Sequence, residues 1–368
     1  MTVIKRRISE GDYLLDDIPG ERKIAEEIGV SYMTARRAIL ELLEQEVLIR
    51  QPSGALDVHP VFAKRMKLAE VVLLYPSYPS NYLTQLRGIV SDYAQHIGTN
   101  LRPMQFIHWD ERIVLEAVEQ AKGVFIIPSG HPFPIRLAEP FRLNKVVILD
   151  GDFTQFGIPS IRLFRDKCIE RVLDYIYELG HRTIDFINTH DRNAEIERRI
   201  RLWQNWMRRK NLEGQLWNDP APVYTDPTVN AHKLMTRMLQ EKQFTATAFL
   251  TATCPAAIGS IRACWESGLQ AGKDISISTV NLEPPAEFFY PSITGLSTPD
   301  LAGVLEQCFE WFFNEDVDWH GTRLLEPEES VLFAGESAGS ELQSCSALGP
   351  GDSDDKLIPE NFAAEKGK

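Results

Sequence analysis

Between residues 19 and 50, apolar residues recur at helical spacing in two runs. Ile24, Ala25 and Ile28 mark one face of the first, and Gly29 behind it can leave a helix without steric cost. Ala35, Ala38, Ile39, Leu42 and Leu43 mark the buried side of the second, for which Ser31 suits the N-cap. Its other side carries Tyr32, Met33, Thr34, Arg36 and Arg37. Residues 47–50 and 55–58 predict two short strands around a turn, and residues 2–10 a further short helix.

From residue 69 the pattern changes to largely apolar strands alternating with helices. Strands are expected near 70–75, 123–127 and 145–150, with a helix over 81–96. A second series has helices over 165–179, 194–211, 229–241 and 255–268, and strands over 183–187, 246–250 and 275–280. Such alternation predicts parallel sheets covered on both faces by helices, and two series predict two α/β lobes. A ligand would sit between them, at the carboxyl ends of the strands. The expected organisation is a small module over 1–58, a linker over 59–68, the two-lobed domain over 69–337 and a disordered tail over 338–368.

Charge and cysteine usage narrow the class. The 368 residues carry a formal net charge of −13. Residues 1–60 hold 8 Lys+Arg against 11 Asp+Glu, a net −3, so any contact with nucleic acid must rest on a local positive footprint. The five cysteines, Cys168, Cys254, Cys264, Cys308 and Cys345, show no paired spacing. That argues for reduced thiols in the cytoplasm rather than a zinc site or disulfide frame. The basic start lacks an apolar run behind it, so no secretory signal is expected. No cofactor is expected either.

A short helix, a tight turn and a helix with exposed arginines at its start describe a helix-turn-helix, whose second helix enters the major groove. Solvated helical bundles also carry such pairs. Residues 1–58 resemble the winged-helix domain of GntR-type transcription regulators. Their signature runs from Pro-Ser-Glu-Arg to Val-Ser-Arg-x-Thr-Val-Arg-x-Ala-Leu; here it reads Pro19-Gly20-Glu21-Arg22 and Val30-Ser31-Tyr32-Met33-Thr34-Ala35-Arg36-Arg37-Ala38-Ile39. The resemblance implies DNA contacts from Arg22 and Arg36, with Ser31 and Thr34 on phosphate or base edges; Tyr32 and Arg37 share their face. Tyr32 replaces an arginine, Gly20 a serine, and the wing has one glycine where two are usual.

Residues 69–337 resemble the effector domain of LacI-type regulators, itself similar to periplasmic sugar-binding proteins. Val146-Val147-Ile148-Leu149-Asp150, Leu179-Gly180-His181-Arg182, Ala246-Thr247-Ala248-Phe249 and Asp274-Ile275-Ser276-Ile277 carry the likeness in order. His181, at a helix-to-strand turn, is expected to cap backbone carbonyls. The family's effector contacts fall on Asp150, Arg199, Thr253 and Asn281. Thr253 stands for an asparagine, Asn281 for an aspartate, and Leu202 for a glycine. Tyr78, Tyr82, Trp203, Trp206 and Phe288 or Phe289 are candidate rings for the apolar face of a sugar or sugar derivative.

Gly335-Glu336-Ser337-Ala338-Gly339 matches the nucleophile elbow of α/β-hydrolases, but no histidine follows Ser337. The expected function is that of a homodimeric, non-enzymatic transcription repressor that binds operator DNA under the control of a sugar-like effector. Its dimer surface is expected around residues 83–97 and 258–268, including Leu86, Ile89 and Trp265. A cytoplasmic solute-binding sensor, with an N-terminal module that binds protein, is the rival reading; an esterase is a distant third.

Overall fold

The computed structural model describes residues 18–52, 54–59, 71–78, 80–242, 245–317, 319 and 323–341. The helix expected over 2–10, most of the linker and the chain past residue 341 lie outside them.

In the N-terminal module, helix α1 (Glu21–Ile28) ends where Gly29 takes φ 71°, a conformation that a side chain would strain. Ser31 then caps α2 (Tyr32–Glu44): its Oγ accepts from the Thr34 amide at 3.2 Å. Strands β1 (Leu48–Arg50) and β2 (Leu56–Val58) pair antiparallel, with Ile18 bridged to Leu56. Ile24, Ala25, Ala35, Ile39, Leu42, Val47, Leu48 and Leu56 close a core of their own, while Ala38 and Leu43 pack at its edge. Burying each Ile or Leu is worth ~1.5–3 kcal/mol, so the wing strands complete what two short helices cannot bury alone.

The first lobe comprises β3 (Val71–Pro76), β4 (Leu101–Phe106), β5 (Gly123–Ile126), β6 (Val146–Leu149), β7 (Ser160–Ile161) and the late strand β13 (Leu324–Leu325). Their order is β13-β7-β6-β5-β3-β4, parallel throughout. Helices α3 (Asn81–His96), α4 (Arg112–Gln120) and α5 (Ala138–Leu143) connect them. The second lobe comprises β8 (Ile184–Asn188), β9 (Leu216–Asn218), β10 (Ala248–Thr251), β11 (Ser276–Asn281), β12 (Thr294–Leu296) and β14 (Leu332–Phe333). Here the order is β14-β12-β11-β10-β8-β9, with only β14 antiparallel. Its helices are α6 (Asp166–Glu178), α7 (Ala194–Lys210), α8 (Pro227–Glu241) and α9 (Cys254–Glu266).

Helix α10 (Ala302–Phe313) follows the second lobe's β12 yet packs on the first. Phe312 and Phe309 lie 5.0 and 5.5 Å from Phe125, and Lys145 Nζ donates to the Trp311 carbonyl at 2.7 Å. The chain therefore crosses between lobes after β7, after β12 and between β13 and β14. In each sheet the first strand, β3 or β8, has its successors on opposite sides. That reversal opens a crevice at the strands' carboxyl ends. Strands β5, β6, β8, β10 and β11 are buried at every position, as helices on both faces require.

Two expectations need correction. Residues 338–341, expected to begin a disordered tail, pack on the second lobe. His181 is fully buried there, 2.8 Å from Thr247 Oγ1 and 2.9 Å from both Ser276 Oγ and the Gly339 carbonyl. Besides a carbonyl, it thus engages two hydroxyls. The Glu341 amide donates to the Leu179 carbonyl. Ser337 is no exposed nucleophile: its buried hydroxyl donates to the Ile277 carbonyl at 2.6 Å and accepts from the Thr294 amide. Leu86, expected at a dimer surface, is fully buried in the first lobe's core, whereas Trp265 is 64% exposed beneath the Arg262 guanidinium.

Candidate functional site

A cleft of about 650 Å³ lies between the lobes, within the range of small-molecule sites. Its walls come from the carboxyl ends of both sheets. The first lobe supplies Tyr78 after β3, residues 127–133 after β5, and residues 150–156 after β6. From the second come His190 and Asp191 after β8, the first turns of α7, Tyr224, Thr253 after β10, and Asn281 and Glu283 at β11.

At the centre of the cleft is a network anchored on α7. Asn193 caps that helix, its Oδ1 accepting from the Ile196 amide at 2.9 Å. Glu195, Arg198 and Arg199 then fall one turn apart on the face towards the cleft. Arg199 is 4% exposed. Its Nη1 donates to Asn281 Oδ1 at 2.9 Å and to the Ala252 carbonyl at 2.5 Å, and its Nε to Glu195 Oε1 at 3.2 Å. Arg198 also holds Glu195, at 2.6 Å, and pairs with Asp166 at the start of α6. Burial alone would raise the Glu195 pKa, but Arg199 and Arg198 outweigh it and hold the carboxyl below its ordinary range.

Opposite stands Asp150, at φ 70°, a conformation that aspartate tolerates and that swings its carboxylate off the end of β6. Tyr82, in the first turn of α3, donates its hydroxyl to Asp150 Oδ2 at 2.7 Å. Burial and the neighbouring Glu195 carboxylate raise the Asp150 pKa to about 6, against the pull of Arg199 and the Tyr82 bond. Glu283 is raised to about 7, again chiefly by burial. For His190, burial works downward, but the Asp191 carboxylate 2.8 Å away outweighs it and raises its pKa.

Of the residues expected at an effector site, Tyr78, Tyr82, Asp150, Arg199, Thr253 and Asn281 line this cleft. Trp203 does not. It lies one turn beyond Arg199 but dips beneath α7, where its Nε1 donates to the Ile184 carbonyl and its ring packs on Phe186. Trp206 is likewise core, bonded to Asp174, and Phe288 is 81% exposed, away from the cleft. The reading of the sequence missed Glu195, Arg198, His190, Asp191, Tyr224 and Glu283. Glu195-x-x-Arg198-Arg199 offered a signal, since acid and base at i, i+3 and i+4 on a helix meet.

In the N-terminal module, Arg22, Ser31, Tyr32, Thr34, Arg36 and Arg37 are all exposed. The last five sit at the N-terminal end of α2. Arg50 pairs with Glu21 at 2.9 Å and donates to the Gly54 carbonyl, bracing the wing turn. Among the described residues no helix is long and apolar enough to cross a membrane, and no group of His, Cys, Asp and Glu could hold a metal.

Comparison with known proteins agrees with both parts. Residues 2–58 match the bacterial regulatory proteins of the gntR family, and residues 173–302 match the periplasmic binding protein-like domain. The HTH-type transcriptional regulator GalR of Streptococcus thermophilus is 24% identical over 201 residues. That match takes in 52% of this chain and 59% of the relative's length. Among solved structures, the Lac repressor dimer bound to operator and the anti-inducer ONPF superposes with a TM-score of 0.62 at 17% identity. It covers 77% of this chain and 100% of that one. Transcription regulator CcpA of Lactococcus lactis gives 0.56 at 17% identity, over 73% and 99%. The chain thus carries a gntR-family regulatory domain ahead of a two-lobed, periplasmic-binding-protein-like domain of the LacI-type fold.

Proposed function

We propose that this protein is a cytoplasmic, homodimeric transcription repressor. Its winged helix binds operator DNA, and a sugar-like effector in the inter-lobe cleft controls that binding. The observation that carries the reading is the hydrogen-bonded Arg199–Asn281–Glu195 arrangement on the second lobe, facing Asp150 and Tyr82 on the first. An effector that engages both walls favours one degree of lobe closure, and binding energy that differs between closures shifts their populations. In a dimer, a change of closure alters the separation of the two DNA modules, and half-site spacing makes that separation decisive.

On the DNA side, Arg36 and Arg37 are exposed at the start of α2, where a recognition helix meets base edges. Ser31 and Thr34, with hydroxyls 2.8 Å apart, form a polar corner suited to a phosphate. The test is selection of bound sequences from a random duplex library. The expected result is a two-fold-related consensus for the wild type and none for Arg36→Ala. Failure of the wild type to enrich such a sequence would favour the rival, a solute sensor whose N-terminal module binds protein.

A further inference from the structure

The cleft's five carboxylates and five guanidiniums balance in number but not in place. Asp150, Glu195 and Glu283 face two inner guanidiniums, those of Arg198 and Arg199. Both arginines are committed to Glu195, and Arg198 to Asp166 as well. Arg192 and Arg201 lie at the exposed rim, and Arg162 is held by Asp152 at 2.5 Å and Glu326 at 3.1 Å. Among the described residues, neither Asp150 nor Glu283 has a cationic group within 4.0 Å. Glu283 is 8% exposed. His190, the nearest basic neighbour, spends its Nδ1 on Asp191.

Aromatic rings cover the same corner. Burial, and after it the Glu283 carboxylate, push the Tyr78 hydroxyl up to about 12, and the Tyr78 ring lies 6.2 Å from that of Tyr224, which in turn lies 5.5 Å from His131. Two buried polar atoms on this wall also have no partner: Thr253 Oγ1, on a residue nine-tenths buried, and Asp191 Oδ2. A buried carboxylate without a counter-ion is costly. Rings beside carboxylates form the surroundings that favour an organic cation.

We propose that the effector carries a protonated amine, with Glu283 as its counter-ion, Asp150 as a second negative charge and the rings of Tyr78 and Tyr224 alongside. A sugar-like ligand of this kind is an amino sugar or aminoalditol. Neutral sugars and sugar acids would leave Glu283 buried and unpaired. The proposal rests on the effector reading above and adds the ligand's charge to it.

The test is calorimetry on the full chain at pH 7 with matched compounds: glucosamine, galactosamine and mannosamine, their N-acetyl forms, the parent hexoses and the hexuronic acids. We expect at least one amine to bind tenfold or more tightly than its neutral counterparts. Glu283→Gln should bring each matched pair to within twofold, and Asn281→Ala should weaken all members alike. At pH 8 without ligand, Glu283→Gln should melt no lower than the wild type, which separates lost binding from lost folding. Preference for a neutral or acidic member, amine preference that survives Glu283→Gln, or no amine binding would each overturn the proposal. A neutral sugar that binds and changes operator affinity leaves the effector reading standing without it. An amine that binds without changing operator affinity does the reverse.

Discussion

Tyr224, on the second lobe, donates its hydroxyl to the main-chain carbonyl of Ile107 on the first. Its ring packs against Tyr78 and His131, and beside it an added Cβ at Gly130 would overlap the Asp191 carboxylate. The lobes therefore touch at the cleft mouth, and Tyr224 is held there at φ 67°. Tyr224→Phe removes one interlobe hydrogen bond, worth about 1 kcal/mol net. The expected outcome is an effector affinity lowered about fivefold, read by calorimetry. Unchanged affinity would mean that this contact does not govern closure.

Arg199→Ala leaves Asn281 Oδ1 and the Ala252 carbonyl without their donor and Glu195 with one guanidinium. Breaking a buried pair of this kind costs ~3–5 kcal/mol. Urea denaturation should show a loss of that order, and Arg199→Lys, which lacks the planar fork, an intermediate one. A loss for the alanine variant well below ~1 kcal/mol would contradict the network as described.

The buried acids make stability depend on pH. Glu283, raised from 4.5 to about 7, faces His190, Asp226 and Arg199. The folded chain keeps a proton that the unfolded chain has released. The resulting stabilisation is complete below the unfolded pKa and is lost as pH rises through the folded one. Asp150, raised from 3.8 to about 6, acts in the same direction. Glu283→Gln should therefore gain on the wild type by ~1–3 kcal/mol between pH 5 and pH 8. A wild-type-minus-variant difference that stays flat across this range would refute the assignment.

On the DNA module, Arg36→Ala should cost ~1–3 kcal/mol of operator binding and relax base preference at one position. Ser31→Ala removes the α2 cap and should lower module stability by ~0.5–2 kcal/mol. Equal operator affinity for wild type and Arg36→Ala would remove this arginine from the interface.

The fold was legible because β5 and β6, buried on both faces, read as continuous apolar runs, whereas β8 and β11 break that pattern with buried Asp185, Asn188, Ser276, Ser278, Thr279 and Asn281. The site was legible in part. Asp150 and Asn281 stand at strand ends, where a parallel sheet opens its crevice. Trp203 shows the limit of helical periodicity. It shares a stripe with Arg199, yet a tryptophan can bury its ring under the helix while the arginine reaches into the cleft. Glu283, His190, Asp191 and Tyr224 lie on loops from different strands, and only the folded chain brings them together.

In the proposed regulator the cleft and the winged helix act on each other. The most direct test measures operator affinity with and without a small molecule that stabilises the full chain, for the wild type and for Asn281→Ala. The account predicts a change of at least about fivefold for the wild type, the lower end of ordinary allosteric coupling, and little or none for the variant at the same ligand concentration. A ligand that occupies the cleft, as shown by its loss of affinity for Asn281→Ala, yet leaves wild-type operator affinity unchanged would contradict it.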